Sequence, residues 1–292
     1  MTSLLFTSIA VVLRILSNPL GNVFQKQLTN KGNPPLLVNF VTYFILSAAC
    51  VFIAWKVAWG QLPFEFWGYA IAGGVCGALG NGFLVKALET GDLSVLGPIN
   101  AYKSVVGIIA GIFLLHEIPS VWGLAGMALI IYGSYFVLET TEDKFSWALL
   151  RRSAIQYRIW AMVLTAIEAV FVKKVIQASS VTTSFIVWCW FGALFSFVLL
   201  LLYRQKLFTY TKGITHATLK KYVLLVICIG TMQLTTNYVF DHMPVGYALA
   251  LFQLSILVSV LLGYRFFKEK DIRKKLIGSV IMIAGSVLII LS

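Results

Sequence analysis

Charge is what this sequence has least of. Only 12% of its 292 residues are charged, whereas 59% are hydrophobic and the mean hydropathy is +0.88. A soluble domain carries about 25% charged residues to clothe its core, so a soluble fold is excluded. Histidine occurs three times, at His116, His216 and His242, in or beside loops and far apart. Nothing therefore resembles a metal centre or a Ser/His/Asp set, and no cofactor, metal or catalytic residue is expected. Cys50, Cys76, Cys189 and Cys228 fall in four different apolar blocks without paired spacing. They read as small core residues, not as a disulfide frame or zinc site. Long polar stretches are also missing: the longest interruptions, 139–157 and 204–221, are too short to fold as domains.

What is there is hydrocarbon. The apolar residues come in blocks of about twenty, enough to cross about 30 Å of bilayer at 1.5 Å per residue. Every backbone polar group in such a block must be satisfied within it, so the blocks are helices, and barrel strands would be shorter and would alternate. Spans fall near 4–26, 36–56, 66–88, 94–115 and 121–138, then 158–178, 181–203, 222–242, 245–266 and 273–291. The first block is interrupted by Arg14, Asn18 and Asn22 and has a counterpart later in the chain, so it reads as a span and not a signal peptide. The expectation is an all-α membrane protein of ten transmembrane helices: a first repeat at 1–140, a connecting loop at 141–157 and a second repeat at 158–292.

The formal charge of +12 follows from where its lysines and arginines sit. If both termini face outside, the inward loops hold Lys26, Lys31, Lys86, Lys144 and the basic residues of 151–158, 204–221 and 265–275. The outward loops keep only Lys56, Lys173 and Lys174. That asymmetry is what membrane insertion leaves behind, and it accounts for the basic balance without a nucleic-acid partner. It predicts a multi-pass protein of the cell (inner) membrane with its termini outside.

The chain also repeats itself. The ungapped shift that carries Glu117 onto Glu269 carries Gly111 onto Gly263, Gly126 onto Gly278, Gly133 onto Gly285 and Ser134 onto Ser286. A slightly different shift carries Val23-Phe24-Gln25-Lys26 onto Val170-Phe171-Val172-Lys173. Because each half holds an odd number of spans, the two five-helix repeats must lie inverted in the bilayer, an arrangement that places a solute site near mid-membrane between them.

Tyr102–Glu117 followed by Gly126–Gly133 resembles the fourth and fifth helices of EamA-type carriers of the drug/metabolite transporter superfamily, and Leu261–Glu269 with Gly278–Gly285 repeats the pattern. The resemblance implies a ten-helix inverted-repeat carrier whose central cavity is lined by the first, third and fourth helices of each half. It also implies cytoplasmic termini, against the charge asymmetry, which is followed here. A weaker likeness ties Asn22-Val23-Phe24-Gln25-Lys26 and Lys103 to the triose-phosphate and nucleotide-sugar branch. The ninth span lacks that branch's mid-helix Lys-Arg pair, with Arg265 at its end, so a phosphosugar is not implied.

Depth singles out the ionisable residues. At 1.5 Å per residue, Arg14 lies about 15 Å into the first span, Lys103 about 14 Å into the fourth and Glu168 about 14 Å into the sixth. Charges at the midplane must pair or face a wet cavity. The two cations and one anion leave a positive charge that a small organic anion could neutralise. Arg14 and Lys103 are therefore candidate substrate contacts and Glu168 the candidate proton-coupling residue, with locking of Glu168 to Lys103 or Arg14 as the structural alternative. Asn18, Asn81 and Asn100, with Gln233, Asn237, Tyr238 and Gln253 from the eighth and ninth spans, supply further polar groups for a substrate site. Trp188 and Trp190 could line it, and the glycine faces Gly73/Gly77/Gly80 and Gly107/Gly111 suit close helix packing. The expected function is secondary transport of a small, anionic or zwitterionic organic metabolite by alternating access, coupled to protons and not enzymatic. A membrane-embedded lipid-modifying enzyme, or a channel or scaffold, is the alternative. The partners are that solute and the lipid bilayer, with a homodimer left open.

Overall fold

Proline and glycine punctuate the helices. In the computed structural model, the structure describes residues 2–91, 96, 99–100, 102–115, 118, 120–138, 151–204, 216–268 and 272–290. The first half holds α1 (Thr2–Thr29), α2 (Pro35–Ala54), α3 (Phe64–Thr90), α4 (Tyr102–Leu115) and α5 (Val121–Leu138). The second holds α6 (Ser153–Gln177), α7 (Val181–Leu202), α8 (His216–His242), α9 (Val245–Phe267) and α10 (Ile272–Ile290). Pro34 and Pro35 open α2, Pro63 precedes α3 and Pro244 precedes α9, all at helix starts where a missing N–H is harmless. Gly32, at φ +86°, turns the chain after α1. Ser180 caps α7, accepting a hydrogen bond from the Thr183 N–H at 3.1 Å. Within α9 a single 3-10 turn at Phe252–Leu254 breaks the α-helical pattern.

Among the described residues, six helices are long and apolar enough to cross a bilayer: α1 from Leu5, α2, α3, α7, α8 and α9. Tyr102–Leu115, Val121–Gly133 and Leu276–Gly285 are apolar but shorter. The 25 residues of α6 are long enough, but Arg158, Glu168, Lys173 and Lys174 lower its apolar character. Burial runs opposite to that of a soluble protein. Trp55, Phe64 and Phe52 are 93%, 91% and 85% exposed, whereas Arg14, Glu168 and Arg158 are 8%, 7% and 5% exposed. Apolar outside and ionisable inside is the polarity that hydrocarbon demands. The chain is a multi-pass helical membrane protein.

The core lies between the halves. α3 packs along α6, α1 along α8, α2 along α7 and α5 along α10, while α4 packs on both α6 and α9. Glycines bring the backbones together. A Cβ on Gly133 would lie 2.7 Å from the Gly278 carbonyl oxygen, and one on Gly285 would lie 2.5 Å from that of Gly126. The shift that matches Glu117 to Glu269 superposes Gly133 on Gly285 and Gly126 on Gly278, so it exchanges the two contacts and the α5–α10 contact is reciprocal. On α3, Gly73 lies against Phe171, Gly77 against Glu168 and Gly80 against Thr165, all on α6. Gly107 on α4 lies against Leu249 of α9. Both glycine faces serve close packing.

Three placements differ from the sequence expectation. α6 starts at Ser153 and not at 158, because Ile155 is buried and extends its inner face through a stretch too polar to read as apolar. Lys26, expected in a loop, is buried and donates from Nζ to the Gly91 carbonyl at 2.7 Å, at the C-terminal end of α3. Lys173, expected to snorkel to the surface, is buried and donates to the Phe240 carbonyl and, at 2.9 Å, to that of Met243, at the end of α8. A cation at a helix C-terminus meets unsatisfied carbonyls and the negative end of the helix dipole. The same residue in the two halves thus closes the end of the third helix of its own half. Glu117, Glu269, His116, Lys144, Lys206 and Lys212 lie outside the described residues.

Candidate functional site

Four-residue spacing puts Arg14, Asn18 and Asn22 on one face of α1. On α6, Arg158, Ala161, Thr165 and Glu168 share a face by the same geometry. Both faces turn onto one cavity of about 60 Å³. Asn81 of α3, Asn100 and Lys103 at the start of α4, Gln233 and Thr236 of α8, and Phe252 of α9 complete most of the wall. Trp188 enters from α7.

Arg14, Lys103 and Glu168 thus share the cavity, Lys103 from the first turn of α4, and Arg158 joins them. The sequence reading placed Arg158 in an inward loop, and the longer α6 carries it into the wall instead. Three cations and one carboxylate therefore share the cavity, so the positive excess is two charges and not one.

Each charge is held in a particular way. Arg14 donates from Nε to the Thr236 hydroxyl at 2.7 Å, and its guanidinium lies 4.7 Å from the centre of the Phe252 ring. Its Nη1 is buried and has no hydrogen-bond partner. Arg158 donates from Nε to the Leu96 carbonyl at 2.8 Å. The Glu168 carboxylate accepts the Trp188 indole N–H at 2.6 Å, and Gly77 leaves space for it against α3. Among the described residues, no cation lies within 4.0 Å of that carboxylate, the one ion pair found being His242 with Asp241. Glu168 is not locked to Lys103 or Arg14, although it and Lys103 feel one another's charge. The Asn22 side-chain oxygen is also buried without a partner. Asn81 donates to the Tyr43 hydroxyl at 2.8 Å and to the Gly77 carbonyl at 2.9 Å.

Three sequence candidates lie outside the wall. The inward face of α8 carries Met232, Gln233, Thr236 and Phe240, and one residue further is about 100° round the helix. Asn237 is accordingly buried behind the wall, pairing its amide with Gln233 at 2.8 Å, and Tyr238 stacks on His242 with ring centres 4.2 Å apart. Gln253 sits in the turn that breaks α9, where Phe252 takes the cavity side and Gln253 donates to the Leu249 carbonyl at 3.0 Å. Trp190 also points elsewhere, donating to the Ser47 carbonyl at 3.3 Å.

Besides Arg158, the sequence reading misses Asn22, Thr165 and Thr236 as wall residues, and the internal repeat points to one of them, Thr165, through Asn18. The shift that matches Lys26 to Lys173 carries Arg14, Asn18 and Asn22 onto Ala161, Thr165 and Ala169. The other shift carries Asn81, Leu84 and Asn100 onto Gln233, Thr236 and Phe252. All twelve residues line the cavity. The two halves contribute corresponding positions to it.

Comparison with known proteins agrees with this architecture. The family description "EamA-like transporter family" matches twice, over residues 5–139 and 152–291. No curated protein matches the chain. One solved crystal structure, 16% identical, superposes with a TM-score of 0.71 over 99% of this chain and 96% of its own, a likeness of fold alone.

Proposed function

Because the chain belongs to the EamA-like transporter family, we propose that it is a secondary carrier moving a small organic anion or zwitterion across the cell membrane by alternating access, with a proton as the coupled ion. The observation that carries this reading is the cavity between the halves, where Arg14, Lys103 and Arg158 face a single carboxylate, Glu168. Buried cations in excess over anions are costly unless a ligand completes them. Two family matches, corresponding wall positions and the reciprocal α5–α10 glycine contact favour two inverted five-helix halves and ten spans. An inverted pair can open its shared site to either side by rocking.

Lysines also suggest how the ends close. Lys26 ties the end of α1 to that of α3, and Lys173 ties the end of α6 to that of α8. In an inverted arrangement these ties lie at opposite faces of the membrane.

Proton coupling follows from linkage at Glu168. Lys103 supports the carboxylate through space. A solute anion that takes over Lys103 withdraws that support, so anion and proton bind in mutual favour. Uptake of small organic anions into proteoliposomes, with and without an imposed pH gradient, tests the proposal. A gradient-driven rise above the equilibrium level is expected. Uptake indifferent to the gradient would remove the coupling, and flux that neither saturates nor exchanges would indicate a channel.

Orientation follows the charges. Removing the buried Lys26, Arg158 and Lys173 from the count leaves the asymmetry in place, with the termini outside. A cysteine placed at Lys212 should then resist an impermeant thiol reagent added to intact cells. Ready labelling there would turn the protein over.

A further inference from the structure

We infer that the cavity selects a compact solute bearing two negative charges, and that Arg158 is the residue that recognises the second. This rests on the reading of the cavity as a carrier's anion site and narrows the solute class.

The first support is charge. With Glu168 ionised, the three cations exceed the carboxylate by two. In that state a monoanion leaves one buried cation uncompensated, and once Glu168 is protonated it leaves two; a dianion leaves one fewer in either case. Arg14 and Arg158 cannot relieve the excess by shedding protons, since guanidinium stays charged in proteins.

The second is the way the arginines are anchored. Each ties Nε to one fixed protein acceptor, Arg14 to Thr236 and Arg158 to Leu96. Among the described residues the terminal nitrogens of both make no hydrogen bond, and Nη1 of Arg14 is buried without a partner. An anchored guanidinium with free terminal nitrogens is oriented for a carboxylate or phosphoryl oxygen pair. One arginine comes from α1 and the other from α6, so the two halves each contribute one.

The third is size. The cavity is small, which favours a compact solute whose charges are joined by a very short spacer or carried on one phosphorus atom. Dicarboxylates and phosphate monoesters share this chemistry, and matched probes separate them.

Binding to the full-length protein in lipid nanodiscs would be measured for malonate against its monoamide and for methyl phosphate against dimethyl phosphate, at a pH where both charges are present. At least one dianion is expected to bind about tenfold or more tightly than its singly charged partner, the arm that shows the preference naming the group. In Arg158→Gln that ratio should fall to near one through weaker dianion binding. A merely structural role for Arg158, through Leu96, would weaken both members of a pair alike and leave the ratio standing. Equal binding of dianion and monoanion by the parent protein overturns the inference, and that measurement needs no variant to fold. Persistence of the preference in Arg158→Gln overturns the role of Arg158. Failure of the folded parent to bind any of the four probes overturns the anion-carrier reading itself along with this inference.

Discussion

Glu168→Gln is expected to abolish solute accumulation driven by a pH gradient while leaving solute-for-solute exchange in place. The amide retains an oxygen that can accept the Trp188 N–H, so the position beside Gly77 is kept and only the titratable proton is lost. The variant then resembles the permanently protonated form. It can bind anion and cross, but it cannot load a proton on one side and release it on the other. For one coupled proton, each pH unit can sustain about tenfold accumulation, and the variant should sustain none. Counterflow and gradient-driven uptake measured in the same proteoliposomes separate the two activities. If Glu168→Gln accumulates solute as well as the parent does, the carboxylate is only a partner for Trp188.

Lys103→Ala is expected to fail one step earlier, at binding. Lys103 is half-buried, lines the cavity and is the cation whose charge Glu168 feels. Removing it takes a counter-charge from the solute and from the carboxylate together. A loss of roughly a hundredfold in anion affinity is the scale for truncating a desolvated charge contact. Lys103→Arg should restore little, because a planar fork cannot occupy the place of a compact ammonium beside two guanidiniums already present. Titration calorimetry on the purified variants reads this directly. Parent-like affinity in Lys103→Ala would remove the lysine from the site.

Much of this was legible from residue type and position alone. Blocks of about twenty apolar residues mark the helices, and depth along a helix singles out Arg14, Lys103 and Glu168, which share the cavity. Depth is one coordinate, however, and the angle about the helix axis is another. Asn237 and Tyr238 lie within one turn of Thr236 but on other faces of α8, and the polar residues of Thr231–Asn237 fall on several faces, so no local pattern distinguishes them. Arg158 was hidden differently: its flanking stretch, Ser153 to Tyr157, is polar enough to resemble a loop, and only packing of Ile155 extends the helix past it. The 3-10 turn at Phe252–Leu254 has no proline or glycine to announce it, and it is what turns Gln253 away.

The reciprocal glycine contact of α5 and α10 has a further consequence for stoichiometry. A patch that meets its own counterpart is what a two-fold dimer of identical chains would use. In such a dimer every wall residue appears twice, so any ionisable group comes in even number. Here the two shifts carry Arg14 onto Ala161, Lys103 onto Ser255, Arg158 onto Val11 and Glu168 onto Gly21. Not one of the four charges is duplicated. Joining the halves in one polypeptide is therefore what permits a solitary carboxylate in the wall, which no strictly symmetric pair of half-length chains could arrange.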